Sequence, residues 1–417
     1  MEAIVSRVQT LLDYSELPIT RFPVGLESHV KRVIRCIENH STEVCMIGIW
    51  GMGGSGKTTV AKAIYNRIYR TFIGKSFIEN IRDWDLVNSK NVDLQENLLY
   101  EVLKSKFGFK STWMGRTIIE NELCRKKVLI VLDDVNEFSQ LENLCGSCEW
   151  FGQGSVIIIT TRDVQLLNRL KVNYVYEMDV MNQNDSLELF SWHAFREAKP
   201  RKDLNELARN IVVYCGGLPL ALKVLGSFLY GRTMEEWENV PSKLKVISID
   251  QVQEKLKISF DDLREMEKDI FLDICCFFIG KERNYVTDVL NGCGLHANIG
   301  IKVLIERGLI KVGRNNKLKM HPLFRDMGRE IIFQRCPKEP WKRSRLWFQD
   351  DVKDVLKNNT VRTFFISTCF LFHCNGCVVN LLDSALGSNN QQKFRDLPIV
   401  YLCYIHHREQ KLPRDCP

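Results

Sequence analysis

A multidomain chain, α/β in its first part and helical in the rest, is what this 417-residue sequence predicts. Three observations carry that prediction. From Val44 to Tyr176, short β-branched runs alternate with amphipathic stretches, which implies a parallel sheet with helices on both faces. After Asp179 the strand signals stop and helical periodicity takes over. Between Gly308 and Met320, two short strand-like runs flank the turn Gly313-Arg314-Asn315-Asn316, and a hairpin after helices suggests a winged helix.

The strands of the first part are expected at Val44 to Ile49, Ser76 to Ile81, Val128 to Leu132, Ser155 to Thr160 and Tyr174 to Met178. Between them, Thr58 to Ile68, Leu94 to Leu103 and Ile118 to Leu123 carry apolar residues at three- and four-residue intervals, the spacing of one helical face. Further helices are expected at Ser186 to Phe195, Leu204 to Tyr214, Leu218 to Leu229 and Glu235 to Leu244, then through Val252 to Glu306 and at Leu323 to Phe333. A chain of this length exceeds one hydrophobic core. The expected division is an N-terminal helix and linker over 1–20, an α/β domain over 21–178, a helical bundle over 179–246, a winged-helix domain over 247–335, a following segment over 336–360 and a divergent tail over 361–417.

Composition narrows the class. Hydrophobic residues at 45% and charged residues at 26% give an ordinary globular balance. Lys plus Arg exceed Asp plus Glu by 58 to 51, a surplus too dilute over this length to indicate nucleic acid. The clusters Arg125-Lys126-Lys127 and Lys342-Arg343-Ser344-Arg345 read as solvated faces. The 15 cysteines lack the dense spacing of a secreted scaffold, and Cys275-Cys276 lies inside an apolar run, so a cytoplasmic or nucleo-cytoplasmic protein is expected. Thr363 to Leu382 carries no charge, but His373, Asn375 and Asn380 argue against a membrane span.

The strongest chemical signal is Gly51-Met52-Gly53-Gly54-Ser55-Gly56-Lys57-Thr58, which fits G-x-x-x-x-G-K-[ST] without a mismatch. An apolar strand precedes it and an amphipathic helix follows, so the loop aims backbone N–H groups and a helix N-terminus at phosphates. This makes the sheet a P-loop NTPase sheet. Lys57 brings a positive charge to the β/γ-phosphates, and Thr58, followed by Thr59, offers a hydroxyl to Mg²⁺. The run Val128 to Leu132 ends in Asp133-Asp134. A carboxylate at that strand end can hold Mg²⁺, and Asp133 takes that role; Asp134 either polarises an attacking water or caps the following turn. Arg162, closing Thr160-Thr161-Arg162 at the same sheet rim, either reads the γ-phosphate or serves as a surface ion-pair residue.

With these in place, the chain resembles the NB-ARC module of plant NLR resistance proteins, in the subclass that carries a TIR domain. The likeness runs from about Thr20 to Asn359 and includes the segments Phe77 to Arg82, Leu132 to Val135, Gly154 to Arg162, Cys215 to Ala221, Phe271 to Phe278 and Met320-His321. The resemblance implies an ADP/ATP switch of plant defence, with ADP off, ATP on and at most slow Mg²⁺-dependent hydrolysis. It implies that Val24, Gly25 and Pro219 lie on the adenine side and that His321 reaches the β-phosphate of ADP. Other chains of the family are the implied partners on activation.

Three departures bear on this. Pro322 stands where the family motif has aspartate; proline suits a helix's first turn but lacks the carboxylate and the N–H, which implies a weaker hold on ADP. No TIR domain precedes and no leucine-rich repeat follows, so a truncated regulator or decoy that pairs with full-length receptors is the alternative expectation. Rival classes find less support. No Asn-Lys-x-Asp or Leu-Ser-Gly-Gly run points to a GTPase or a transporter ATPase. The last winged-helix helix, with Arg325, Arg329 and Glu330, lacks a basic stripe for DNA. Cys374 and Cys377, with Cys369, His373, His406 or His407, form one Cys-x-x-Cys without a second spaced pair for metal.

Overall fold

A computed structural model of the chain describes residues 16–86, 90–243, 250–348, 350–351 and 354–355. It divides into two compact units, one ending at Pro241 and the other beginning at Ser242. The first 15 residues of the expected N-terminal helix, the uncharged run from Thr363 and the Cys374/Cys377 pair lie outside the described residues. Among those described, no helix is long and apolar enough to cross a membrane.

The first unit holds strands β1 (Cys45–Trp50), β2 (Gly74–Ile78), β3 (Val128–Val135), β4 (Val156–Thr161) and β5 (Tyr174–Glu177), all parallel, in the order β2-β3-β4-β1-β5. Around them run α1 (Leu26–Asn39), α2 (Lys57–Ile68), α3 (Lys90–Leu103), α4 (Thr112–Leu123), α5 (Phe138–Cys145) and α6 (Val164–Leu170). A parallel sheet covered on both faces demands strands that are apolar throughout. Accordingly β1, β3 and β4 are buried over nearly their whole length. Successive residues feed opposite cores: Ile130, Leu132, Ile157 and Ile159 pack with Leu94, Leu98 and Ile119, whereas Leu129, Val131 and Ile158 pack with Val30, Val60 and Ile64.

The expected strands are present, with ends moved by a residue or more; β3 runs on to Val135, three residues past the expected Leu132. β2 ends at Ile78 rather than Ile81, because Asn80 takes a left-handed φ of 50° and Ile81–Leu86 wind into a 3₁₀ turn. Helix α4 begins six residues before its apolar periodicity, at Thr112, where Ser111 accepts the Met114 N–H. Helices α1, α5 and α6 were not anticipated; α5 and α6, at two turns each, are too short for periodicity to reveal, whereas in α1 Leu26, Val30, Val33, Ile34 and Ile37 do carry helical spacing.

The rest of this unit is a bundle of α7 (Gln183–Phe195), α8 (Asn205–Cys215), α9 (Pro219–Leu229) and α10 (Met234–Lys243). Trp237, 1% exposed, meets Phe190 edge-on and stacks on Phe195 at 5.3 Å. The corner between α8 and α9 is made by Gly216 and Gly217, both at positive φ, and Pro219 then opens α9 with a φ already suited to the helix. The Gly217 carbonyl accepts the Met181 N–H at 2.8 Å, and a Cβ at Gly217 would lie 2.4 Å from the Met181 oxygen.

The second unit comprises α11 (Asp250–Asp261), α12 (Glu265–Asp273), α13 (Arg283–Gly292), α14 (Ala297–Glu306), an antiparallel pair β6 (Ile310–Val312) and β7 (Leu318–Met320), and α15 (Pro322–Arg335). After α12, the residues Ile274–Phe278 form a π turn that buries Cys275 and Cys276. The basic run at Lys342 to Arg345 is not the solvated face expected of it. Arg343 and Arg345 are buried: Arg345 pairs with Asp273 at 2.6 Å and with Asp269, and Arg343 pairs with Asp351 while donating to the Cys336 and Pro337 carbonyls. A guanidinium survives burial when its donors are so matched.

Two outcomes follow. Gly217→Ala imposes a left-handed φ and a clash with Met181, and is expected to cost about 2 kcal/mol in denaturant unfolding. Burial, reinforced by the Lys223 and Arg196 cations, pushes His193 down to about 4 from 6.5. Between those values the unfolded chain takes up a proton that the folded one refuses, so stability falls as pH drops through that window. Denaturation midpoints at pH 7 and 5 are expected to differ less for His193→Gln than for the parent.

Candidate functional site

The loop Gly51 to Gly56 joins the carboxyl end of β1 to the N-terminus of α2. It folds tightly: Gly54 has φ 79°, and a Cβ there would strike Leu220 Cβ at 2.8 Å. Gly56 is the N-cap of α2 and has no side chain with which to satisfy the first-turn N–H groups, leaving them and the helix dipole available to an anion. Gly51 and Gly53 are buried beside Ser55, whose hydroxyl oxygen has no hydrogen-bond partner among the described residues. The Lys57 ammonium, 7% exposed, curls back onto the loop and donates to the Gly51 and Met52 carbonyls at 2.8 and 2.9 Å. Burial, then the Arg162 cation, lowers Lys57 to about 7.

Asp133 is fully buried at the end of β3. It accepts from Thr58 Oγ1 at 2.9 Å and from Thr160 Oγ1 at 2.6 Å. Burial raises its pKa despite these hydrogen bonds. Thr59 follows, half-buried in the first turn of α2. Of the two roles expected of Asp134 from sequence, capping the following turn is the one the structure overturns. Asp134 caps no turn, since Glu137 caps α5, and its carboxylate is held by two guanidiniums, Arg82 Nε at 3.2 Å and Arg162 Nε at 3.2 Å. Its backbone adopts φ 53°, at an irregularity in the β3–β4 register, with its N–H on Thr160 Oγ1. Burial, which would raise it, is outweighed by Arg162, Arg82 and Lys57, so its carboxyl sits below the usual range.

The bundle reaches the same loop, and α1 meets the bundle. The Leu220 N–H, one residue into α9 after Pro219, donates to the Gly54 carbonyl at 3.3 Å. Gly217 is bonded to Met181, and Gly25, the left-handed N-cap of α1, lies against Asp185 and Met181 with half-buried Val24 beside it. Gly25, Pro219 and the P-loop are therefore linked through a short series of contacts. His321 belongs to the second unit, where it caps α15: its Nδ1 accepts the Leu323 N–H at 3.2 Å, and Pro322 occupies the first helical position. An accepting Nδ1 puts the neutral ring's proton on Nε2.

Sequence reasoning missed Arg82 and Thr160 as site residues. Both lie within segments singled out above, and the available signal was their position just past or at the carboxyl end of a strand, the rim where ligands of open α/β sheets bind. The residues present fit a nucleotide and Mg²⁺. An orphaned buried hydroxyl, an uncapped helix N-terminus and a glycine-lined loop suit phosphate oxygens, and Thr58 with Asp133 supplies hard oxygen donors of the kind Mg²⁺ takes.

Comparison with known proteins agrees with this geometry. The NB-ARC domain family matches residues 26–199, and the winged-helix domain of Roq1-like disease resistance proteins matches residues 264–336. The chain is 44% identical to disease resistance protein RUN1 of Vitis rotundifolia over 80% of its own length and 25% of that protein's. It is 37% identical to TMV resistance protein N of Nicotiana glutinosa over 86% of its length and 31% of the relative's, and 42% identical to RPV1 of Vitis rotundifolia over 80% and 24%. It thus spans 24% to 31% of the length of these relatives.

Lys57 illustrates a cost that only a ligand recovers. Lys57→Met keeps the shape and removes a desolvated cation, so the ligand-free melting temperature is expected not to fall, while affinity for phosphate-bearing ligands drops roughly tenfold to a hundredfold. Thermal unfolding and titration calorimetry on the same preparations check both halves.

Proposed function

The chain belongs to the NB-ARC family of plant disease-resistance proteins, and on that premise we propose that it is an adenine-nucleotide switch of plant innate immunity. ADP holds an off state, ATP an on state, and slow Mg²⁺-dependent hydrolysis returns one to the other. In this reading Gly51, Gly53, Gly54, Ser55, Gly56, Lys57, Thr58 and Thr59 hold the phosphates, Thr58 and Asp133 hold Mg²⁺, and Arg162 answers the γ-phosphate. Val24, Gly25 and Pro219 line the adenine side, Asp134 is the carboxylate nearest the attacking water, and His321 senses the diphosphate.

The observation that carries the reading is the uncapped, glycine-lined start of α2 with Lys57 beside a Thr58–Asp133 oxygen pair at 2.9 Å. Thr58 and Asp133 would hold Mg²⁺, which would supply charge neutralisation to the phosphates. A switch requires that each nucleotide favour one arrangement over another by differential interaction. Charge at the third phosphate is the difference between ADP and ATP, and Arg162 is the group suited to register it. The domain division set out from sequence, 21–178, 179–246 and 247–335, is proposed as the set of moving parts, in a cytoplasmic protein whose partners on activation are other chains of the family.

The identity of the nucleotide released on denaturing purified protein tests the reading. ADP or ATP at near one per chain, lost in Lys57→Ala, supports it; a folded protein that carries and binds neither refutes it. Since Pro322 removes a carboxylate beside His321, Pro322→Asp is expected to slow ADP release severalfold and His321→Ala to speed it, as read by displacement of a fluorescent ADP analogue. Equal rates across the three proteins would rule out the diphosphate-sensing role. Chelation of Mg²⁺ is expected to weaken ATP more than ADP, because the triphosphate carries more charge to be neutralised.

A further inference from the structure

At the rim of the sheet one carboxylate is shared by two cations. Asp134 Oδ2 accepts from Arg82 Nε at 3.2 Å, and Asp134 Oδ1 accepts from Arg162 Nε at 3.2 Å, with Arg162 Nη2 reaching Oδ2 at 3.4 Å. The side chains are 12% and 11% exposed for the arginines and 18% for the aspartate, so these are desolvated charges. The arrangement is asymmetric in chain position. Arg162 follows β4 directly, whereas Arg82 stands in the 3₁₀ turn after β2, which two strands, β3 and β4, separate from β1 and its phosphate loop. Asp134 itself is fixed by a left-handed backbone and by its N–H on Thr160.

For Arg162 to engage a third phosphate it must loosen from Asp134. In a water-poor site, pulling one partner from an ion pair leaves the other charge uncompensated, which is the expensive way to break such a pair. A second guanidinium on the same carboxylate removes that penalty, because Asp134 stays paired when Arg162 turns to the phosphate. We propose that Arg82 is a positioning residue that holds Asp134 so that Arg162 can transfer to the γ-phosphate, and that it thereby sets the preference for ATP over ADP at this site. ADP, lacking the third phosphate, does not draw on Arg162, so its binding is indifferent to Arg82. The inference rests on the nucleotide-switch reading and extends it by assigning discrimination to a residue outside the phosphate loop.

Equilibrium affinities for ADP and for a non-hydrolysable ATP analogue, each with Mg²⁺, test this in the full chain. Arg82→Gln leaves Asp134 paired with Arg162, so no buried charge is orphaned and the fold is retained; unchanged ADP binding serves as the control. The expected result is ATP-analogue affinity lower by about tenfold with ADP affinity within about twofold, as loss of one charge-assisted contact at the transfer step implies. Arg82→Lys, which keeps the cation, is expected to recover most of the loss. Arg82→Gln combined with Asp134→Asn is expected to recover it too, since the Asp134 carboxylate then no longer competes with the phosphate for Arg162. A merely structural role for Arg82 would lower both affinities together, and that outcome, or no change in either, or failure of both recoveries, overturns the proposal. A well-folded parent chain that binds neither nucleotide overturns instead the switch reading on which it rests.

Discussion

Everything about the first unit turns on the difficulty of burying like-signed groups together at one edge of a sheet. Lys57, Arg82 and Arg162 face Asp133 and Asp134 across the carboxyl ends of parallel strands, three cations against two carboxylates. Burial lowers Lys57 to about 7 and raises Asp133, while Arg162 and Arg82 hold Asp134 below the usual carboxylate range. Such a set is electrostatically incomplete, and a polyanion completes it. The folded backbone supplies the rest of the welcome, since the start of α2 presents N–H groups with no side-chain acceptor.

The fold exists to hold that rim steady. Strands β1, β3 and β4 are buried on both faces, so their ends cannot drift without disturbing two cores at once. The bundle adds a second restraint, because the Leu220 N–H bonds to Gly54 and a side chain at Gly54 would collide with Leu220. In the second unit the same economy of matched burial appears in another form, with Arg345 set between Asp273 and Asp269 and Arg343 satisfied by Asp351 and two carbonyls. A capped helix start brings His321 into a defined tautomer next to Pro322.

Much of this was legible in the sequence, and the reasons are physical. The phosphate loop is a local motif whose glycines and lysine act within eight residues, and the strands announce themselves as β-branched runs because both of their faces are buried. What stayed hidden is what depends on chain segments far apart. The strand order and the sharing of Asp134 between Arg82 and Arg162, 52 and 28 residues away, follow from topology rather than from any neighbour in sequence. The basic run at Lys342 to Arg345 looked solvated because charge alone suggests water; its acidic partners Asp269 and Asp273 lie more than seventy residues upstream. Helices α5 and α6 escaped because two turns of helix leave too few positions for a period to show.

The most direct measurement is equilibrium titration of nucleotide-stripped, demonstrably folded protein with ADP and Mg²⁺ by calorimetry. Saturable binding of one adenine nucleotide per chain is expected, competed by ATP and not by adenosine, because the phosphate chain is what the rim grips. Absence of binding by a natively folded chain, or binding that adenosine matches, would contradict it.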